Sequence, residues 1–116
     1  MNVEEIRAFC MAKTGTTESF PFDNETLVFK VGNKIYALVS LEKLSINLKC
    51  DPERAIDLRE KHDGISPGYH MNKQHWNTIV PELIPQTLLI DLINHSYDLI
   101  FDSLPKKIKV EIAESH

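Results

Sequence analysis

The run TLVFKVGNKIYALVSL, Thr26 to Leu41, restricts the fold more than any other part of the chain. Two segments rich in β-formers flank Gly32-Asn33, and that pair supplies the positive φ angles of a two-residue primed turn, so the run predicts a tight antiparallel hairpin. Counting outward from the turn sets Val31 opposite Lys34, Phe29 opposite Tyr36 and Leu27 opposite Leu38 on one face. Val28, Ile35, Ala37 and Val39 then occupy the other. Both faces are apolar, so the pattern alone does not choose the one that meets the rest of the molecule. SINLKC, immediately downstream, alternates more sharply. Ile46, Leu48 and Cys50 point one way and Ser45, Asn47 and Lys49 the other, which predicts a third strand with one wet side.

Helices flank this meander. Asn2 and Glu5 have the spacing of a reciprocal capping box, Ile6, Phe9, Cys10 and Lys13 follow at helical intervals, and Gly15 suits the stop, so a helix is predicted over about 3–13. Asp51-Pro52 opens a second helix, because Asp51 can cap free amides and Pro52 loses nothing by lacking an N–H at the first helical position. It ends near His62, before Gly64. Two short strands are expected at Ile65–Tyr69 and Trp76–Val80. From Pro85, the stripe Leu88, Leu89, Leu92, Ile93, Tyr97, Ile100, Phe101 and Leu104 predicts the longest helix, stopped by Pro105. TGTTESFPFDNE reads as a loop whose Phe20 and Phe22 plug the core, and the polar KKIKVEIAESH reads as a tail frayed from about residue 106, with at most a brief strand pairing. The order α-β-β-β-α-β-β-α implies an α+β fold, an antiparallel sheet with helices packed on one face.

The 116 residues suit a single domain spanning 1–116, with 42% hydrophobic and 26% charged residues, an ordinary globular composition. No apolar run approaches the ~20 residues of a membrane span, and the acidic start MNVEEIRAF lacks the basic region of a signal peptide, so a cytoplasmic protein, monomeric and away from membranes, is expected. Cys10 and Cys50 form no C-x-x-C and read as buried free thiols. A net charge of −4 disfavours nucleic-acid binding by the molecule as a whole and leaves only local patches for it. No nucleophile elbow, Gly-rich phosphate loop or H-E-x-x-H is present, so neither an enzyme nor a bound cofactor is expected.

Chemistry concentrates in PGYHMNKQHWNT, Pro67 to Thr78, which holds two histidines and the only tryptophan. His70 and His75 are five apart, a spacing that fits neither helical nor strand metal ligation, and no Asp, Glu or Cys lies in the stretch, so no metal is expected. Two readings stand. In one, Tyr69 and Trp76 are core or rim aromatics, Asn72 and Asn77 fix a turn, and His75 is buried and satisfied. In the other, His70, Asn72, Lys73, Gln74 and His75 offer donors to an anion or a base edge, and Trp76 offers a stacking face. Asn47 and Lys49, with Lys30 or Lys34, extend that surface onto the sheet. Lys106, Lys107 and Lys109 read as a solvated helix end.

MNVEEIRAFC, LVFKVGNKIYALVSL, INLKCDPERA, PGYHMNKQHWNT, HSYDLI and LPKK, which together cover nearly the whole chain, resemble the MmcQ/YjbR family of small bacterial proteins. The resemblance implies a frataxin-like (CyaY-like) α+β fold and a DNA-binding role of the "double wing" type. It does not extend to frataxin-type iron binding: the first helix offers Glu4 and Glu5, with Glu18 past its end and Arg7 and Lys13 interspersed, rather than an acidic ridge. Residues and resemblance together lead to a small binding module with DNA as partner. Its candidate site is Asn47, Lys49, Tyr69, His70, Asn72, Lys73, His75, Trp76 and Asn77. The alternatives are a protein-interaction domain on the same surface and an enzyme or small-molecule binder with His70 or His75 in a deep pocket.

Overall fold

The computed structural model describes residues 1–69 and 71–115. Helix α1 (Val3–Met11) leads into strands β1 (Thr16–Ser19), β2 (Thr26–Val31), β3 (Lys34–Ser40) and β4 (Ser45–Lys49). Helix α2 (Pro52–Lys61), strands β5 (Ile65–Pro67) and β6 (Trp76–Ile79), a 3-10 turn at Pro81–Leu83, and helices α3 (Gln86–Asp102) and α4 (Lys106–Glu114) follow. The strands form one antiparallel sheet in the order β1-β2-β3-β4-β6-β5. The helix starts are those the capping residues dictate: Asn2 and Glu5 exchange both bonds of the capping box, at 2.8 and 3.0 Å, and Asp51 accepts from the Arg54 amide at 3.1 Å.

All four helices share one core with one face of the sheet. Ile6 and Cys10 of α1, Ala55 and Leu58 of α2, and Leu89, Ile93 and Ile100 of α3 are buried in the same cluster as Phe29, Ile46 and Leu48. This is the expected α+β arrangement with helices on one side. Two elements exceed the expectation. The TTES segment, read as loop, is edge strand β1, held by pairing with β2 and by a two-bond Arg7–Glu18 ion pair that ties it to α1. The segment after 105, read as a frayed tail, is α4; Ile108 and Ile112, one helical turn apart, pack on the core and give it an inner face among its lysines. Phe20 and Phe22 do not plug the core, being 48% and 66% exposed. No helix among the described residues is long and apolar enough to cross a membrane.

The hairpin turn has the predicted backbone, with φ +56° at Gly32 and +67° at Asn33. The register agrees with the expectation only through Val31↔Lys34 and Lys30↔Ile35; the next pair is Phe29↔Ala37, so Tyr36 is an extra, bulged residue. The expected pairs Phe29–Tyr36 and Leu27–Leu38 are therefore replaced by Phe29↔Ala37 and Leu27↔Val39. Tyr36 still faces the core, where its hydroxyl meets Thr16 Oγ1 at 2.9 Å and donates to the Cys10 carbonyl at 3.3 Å. A buried phenol needs such partners, and the bulge aims it at them. The β3–β4 ladder stops at Ala37↔Leu48. Beyond it, the hydroxyl of Ser96 on α3 donates to the Tyr36 carbonyl at 2.5 Å and accepts from the Lys49 amide at 2.9 Å.

The inserted residue decides which side chains face away from the helices. Ala37 and Val39 join the main core, while Leu38 turns outward beside Val28. These two, with Trp76, form a second buried cluster flanked by Ile35 and Met71, to which no helical residue belongs among those described.

Candidate binding groove on the open sheet face

Residues opposite one another in an antiparallel ladder share a face. The row Val28↔Leu38↔Asn47↔Thr78↔Ser66 thus runs across β2, β3, β4, β6 and β5 on the side away from the helices, and Thr26↔Ser40↔Ser45 forms a second row beside it. Twist and the flanking loops bend this face into a groove of about 670 Å³, within the ~300–1,000 Å³ usual for ligand sites. Its lining is chemically sorted. Hydroxyls come from Thr26, Ser40, Ser45, Ser66 and Thr78, an amide from Asn47, and an apolar floor from Ile35, Leu38 and Met71. Phe22 and Tyr69, 66% and 64% exposed, contribute aromatic rings.

Lys43 and Asp23 supply the two charges in the lining. The Glu25 and Thr26 amides donate to Asp23 Oδ1 at 2.9 and 2.7 Å and hold its carboxyl below the usual range. Around the groove stand further cations. Lys30 pairs with Ile35, Lys49 pairs with Trp76, and Lys73 places Nζ 5.1 Å from the centroid of the Tyr69 ring.

Inside the groove, Thr78 Oγ1 donates to Asn47 Oδ1 at 2.5 Å. This bond fixes the carboxamide with Oδ1 toward β6, and its Nδ2 hydrogens have no protein partner among the described residues. The hydroxyls of Ser40, Ser45 and Ser66 likewise have no side-chain or backbone partner among those residues.

The candidate residues named from the sequence divide. Asn47 and Tyr69 line the groove, Lys49 shares its face, and Lys73 is joined to it through Tyr69. Trp76 is 9% exposed and packed in the second cluster, so its indole is a structural wall and not the stacking face; Tyr69 is the exposed ring instead. Asn77 faces the helices, opposite Leu48, and its amide is spent on Arg59 Nε at 2.6 Å and the Ala55 carbonyl at 3.3 Å. Asn72 holds the turn, accepting from the Gln74 amide at 2.9 Å through its side chain and from Trp76 at 2.9 Å through its carbonyl. His75 contributes backbone bonds to Asn72 and Cys50 and is absent from the groove lining. His70 lies outside the described residues.

Arg59 was not legible as part of this site. From α2 it donates to Asn77 Oδ1 and to the carbonyls of Lys73 and Trp76, clamping the loop that carries Tyr69 and Lys73. Its charge alone gives no hint of this, since the bonds cross from a helix to a loop more than a dozen residues away. Phe22, Lys43 and the serine and threonine row were also missed. Ser45 lay on the side already read as wet beside Asn47 and Lys49, whereas the side of Ser40 could not be read, because the bulge sets it.

A six-stranded antiparallel sheet with helices on one face and a hydroxyl-lined groove on the other defines a small α+β protein with an open-faced site. A YjbR family model matches residues 11–99, and the chain belongs to the YjbR family. It is 46% identical to the protein YbdF of Escherichia coli O157:H7 over 91 residues, covering 76% of this chain and 75% of that one. Identity to YjbR of Escherichia coli strain K12 is 31% over 110 residues, covering 92% and 93%. The crystal structure of the Deinococcus radiodurans protein DR2400 superposes with a TM-score of 0.91 at 40% identity, covering 97% of this chain and 88% of that one.

Proposed function

We propose that the chain is a binding module that holds single-stranded DNA across its open sheet face. The observation that carries this reading is the groove itself: an antiparallel sheet face free of helices, lined by hydroxyls and an amide, with the exposed rings of Phe22 and Tyr69 and four lysines on or around it. Stacking on exposed rings combined with cationic contact to phosphates is the physical basis of sequence-tolerant single-strand binding. The positive charge is local, so it is compatible with a net charge of −4. A groove of about 670 Å³ has room for an unstacked base, whereas a duplex keeps its bases stacked and paired and exposes only their edges.

Fluorescence anisotropy with a short labelled single strand, titrated at several salt concentrations, tests the reading. The logarithm of affinity should fall linearly with the logarithm of salt, and each phosphate contact removed by Lys49→Ala or Lys73→Ala should reduce the slope by roughly 0.7. Tyr69→Ala should weaken binding at every salt concentration while leaving the slope unchanged. Absence of binding at low salt, or a slope indifferent to both lysines, overturns it.

A further inference from the structure

We propose that Asn47 reads the hydrogen-bonding edge of one unstacked nucleobase seated in the groove. The inference rests on the DNA reading above and names the part of the strand that enters. Three observations carry it. The first is orientation: Thr78 has given its hydroxyl proton to Asn47 Oδ1, which leaves the Nδ2 hydrogens of Asn47 as free donors, and the Thr78 oxygen beside it can only accept. A matching ligand must carry an acceptor adjacent to a donor. That pair occurs on the pairing edge of every nucleobase and is absent from phosphate and from a hydrocarbon.

The second observation is charge. Within the lining Lys43 is offset by Asp23, whereas Lys30, Lys49 and Lys73 lie around the groove. The neutral part of a nucleotide therefore belongs inside and its phosphate outside. Third, the lining combines the flat apolar surface of Ile35, Leu38 and Met71 with two exposed rings, which suits the faces of a planar heterocycle while its edge meets Asn47.

The test compares three labelled strands of equal length: all thymine, the same strand with its central nucleotides abasic, and the same strand with those thymines methylated at N3. The wild-type chain should prefer thymine over the abasic strand by about tenfold. N3-methylation removes the donor while keeping the ring, and should lose a large share of that preference. Asn47→Asp nearly preserves shape and still accepts from Thr78, but it cannot donate; its thymine-to-abasic ratio should fall close to one. Taking the ratio cancels the general repulsion that the new carboxylate exerts on any strand, and the methylated strand tests the idea without altering the protein. If wild type binds all three strands equally, or if Asn47→Asp keeps the full ratio, base reading is overturned and the DNA-binding reading survives. If no strand binds at low salt, the DNA reading fails and takes this inference with it.

Discussion

Ser96 of α3 donates its hydroxyl proton to the backbone carbonyl of Tyr36, so a helix supplies a bond that the neighbouring strand does not. The same oxygen accepts from the Lys49 amide, which makes one fully buried hydroxyl the bridge between β3 and β4 beyond the end of their ladder. Ser96→Ala strands a carbonyl and an amide together. It should cost about 1–3 kcal/mol in urea denaturation for each group left buried without a partner. A loss below a few tenths would show that the strands close up without the bridge.

Arg59→Met keeps the aliphatic stem of the side chain and removes three hydrogen bonds to the loop and β6. The expected result is local more than global: amide exchange at Gly68, Met71 and Trp76, whose bonds close the loop, should accelerate several-fold over the rest of the sheet. Arg59→Lys should not restore protection, because one ammonium cannot span partners that the planar guanidinium reaches together. Uniform acceleration across the sheet would mean that the clamp stabilises the whole fold.

His95 gives the protein a pH dependence near neutrality. Its Nε2 accepts from the Asp51 amide at 3.1 Å, which only the neutral ring can do. Burial, then the charge of Arg54, holds its pKa below the usual histidine value, with Asp51, Asp91 and Asp98 pulling the other way. A pKa depressed on folding means that the unfolded chain takes the proton first. The stabilisation is complete above the unfolded value of about 6.5 and is lost as pH falls through the lower folded value. Urea midpoints should therefore decline from pH 7 toward 5, and the decline should be shallower in His95→Gln. Parallel curves for the two proteins would remove His95 as the source.

Neither thiol should react in the folded protein. Cys10 has no exposed surface and burial pushes its pKa up to about 11; Cys50 is 4% exposed and is likewise raised by burial. An aromatic disulfide reagent at pH 8 should label both thiols in urea and neither at an appreciable rate in its absence, because the thiolate is the reacting form. Rapid native labelling of Cys50 would reveal local opening between β4 and α2.

What could be read from the chain followed from local rules. Caps at Asn2 and Asp51, the Gly32-Asn33 turn and the alternation through Ile46, Leu48 and Cys50 are each decided within a few residues, and the structure has them as written. The register of the hairpin was not decided locally. Tyr36 is bulged because its hydroxyl finds Thr16 and Cys10, and because Ser96 completes its carbonyl; these partners are remote in sequence. The site inherited that gap. Asn47, Lys49, Tyr69 and Lys73 could be selected by type, but Trp76 and Asn77 were assigned to the surface, whereas their strand positions turn them into a packed cluster and toward α2. Phe22 escaped by the reverse error, an aromatic assumed to be inside and found at the rim.

The bulge at Tyr36 also bears on how this surface can change over time. Side chains downstream on β3 alternate in a phase that the bulge sets: the same residues paired without it would put Leu38 and Ser40 under the helices and bring Ala37 and Val39 to the concavity. Losing Tyr36 outright would keep Ala37 opposite Phe29 and leave that phase intact. Substitution can tune such a site one position at a time and a deletion at the bulge can be absorbed, but straightening the strand with its full complement of residues would invert the surface at a stroke.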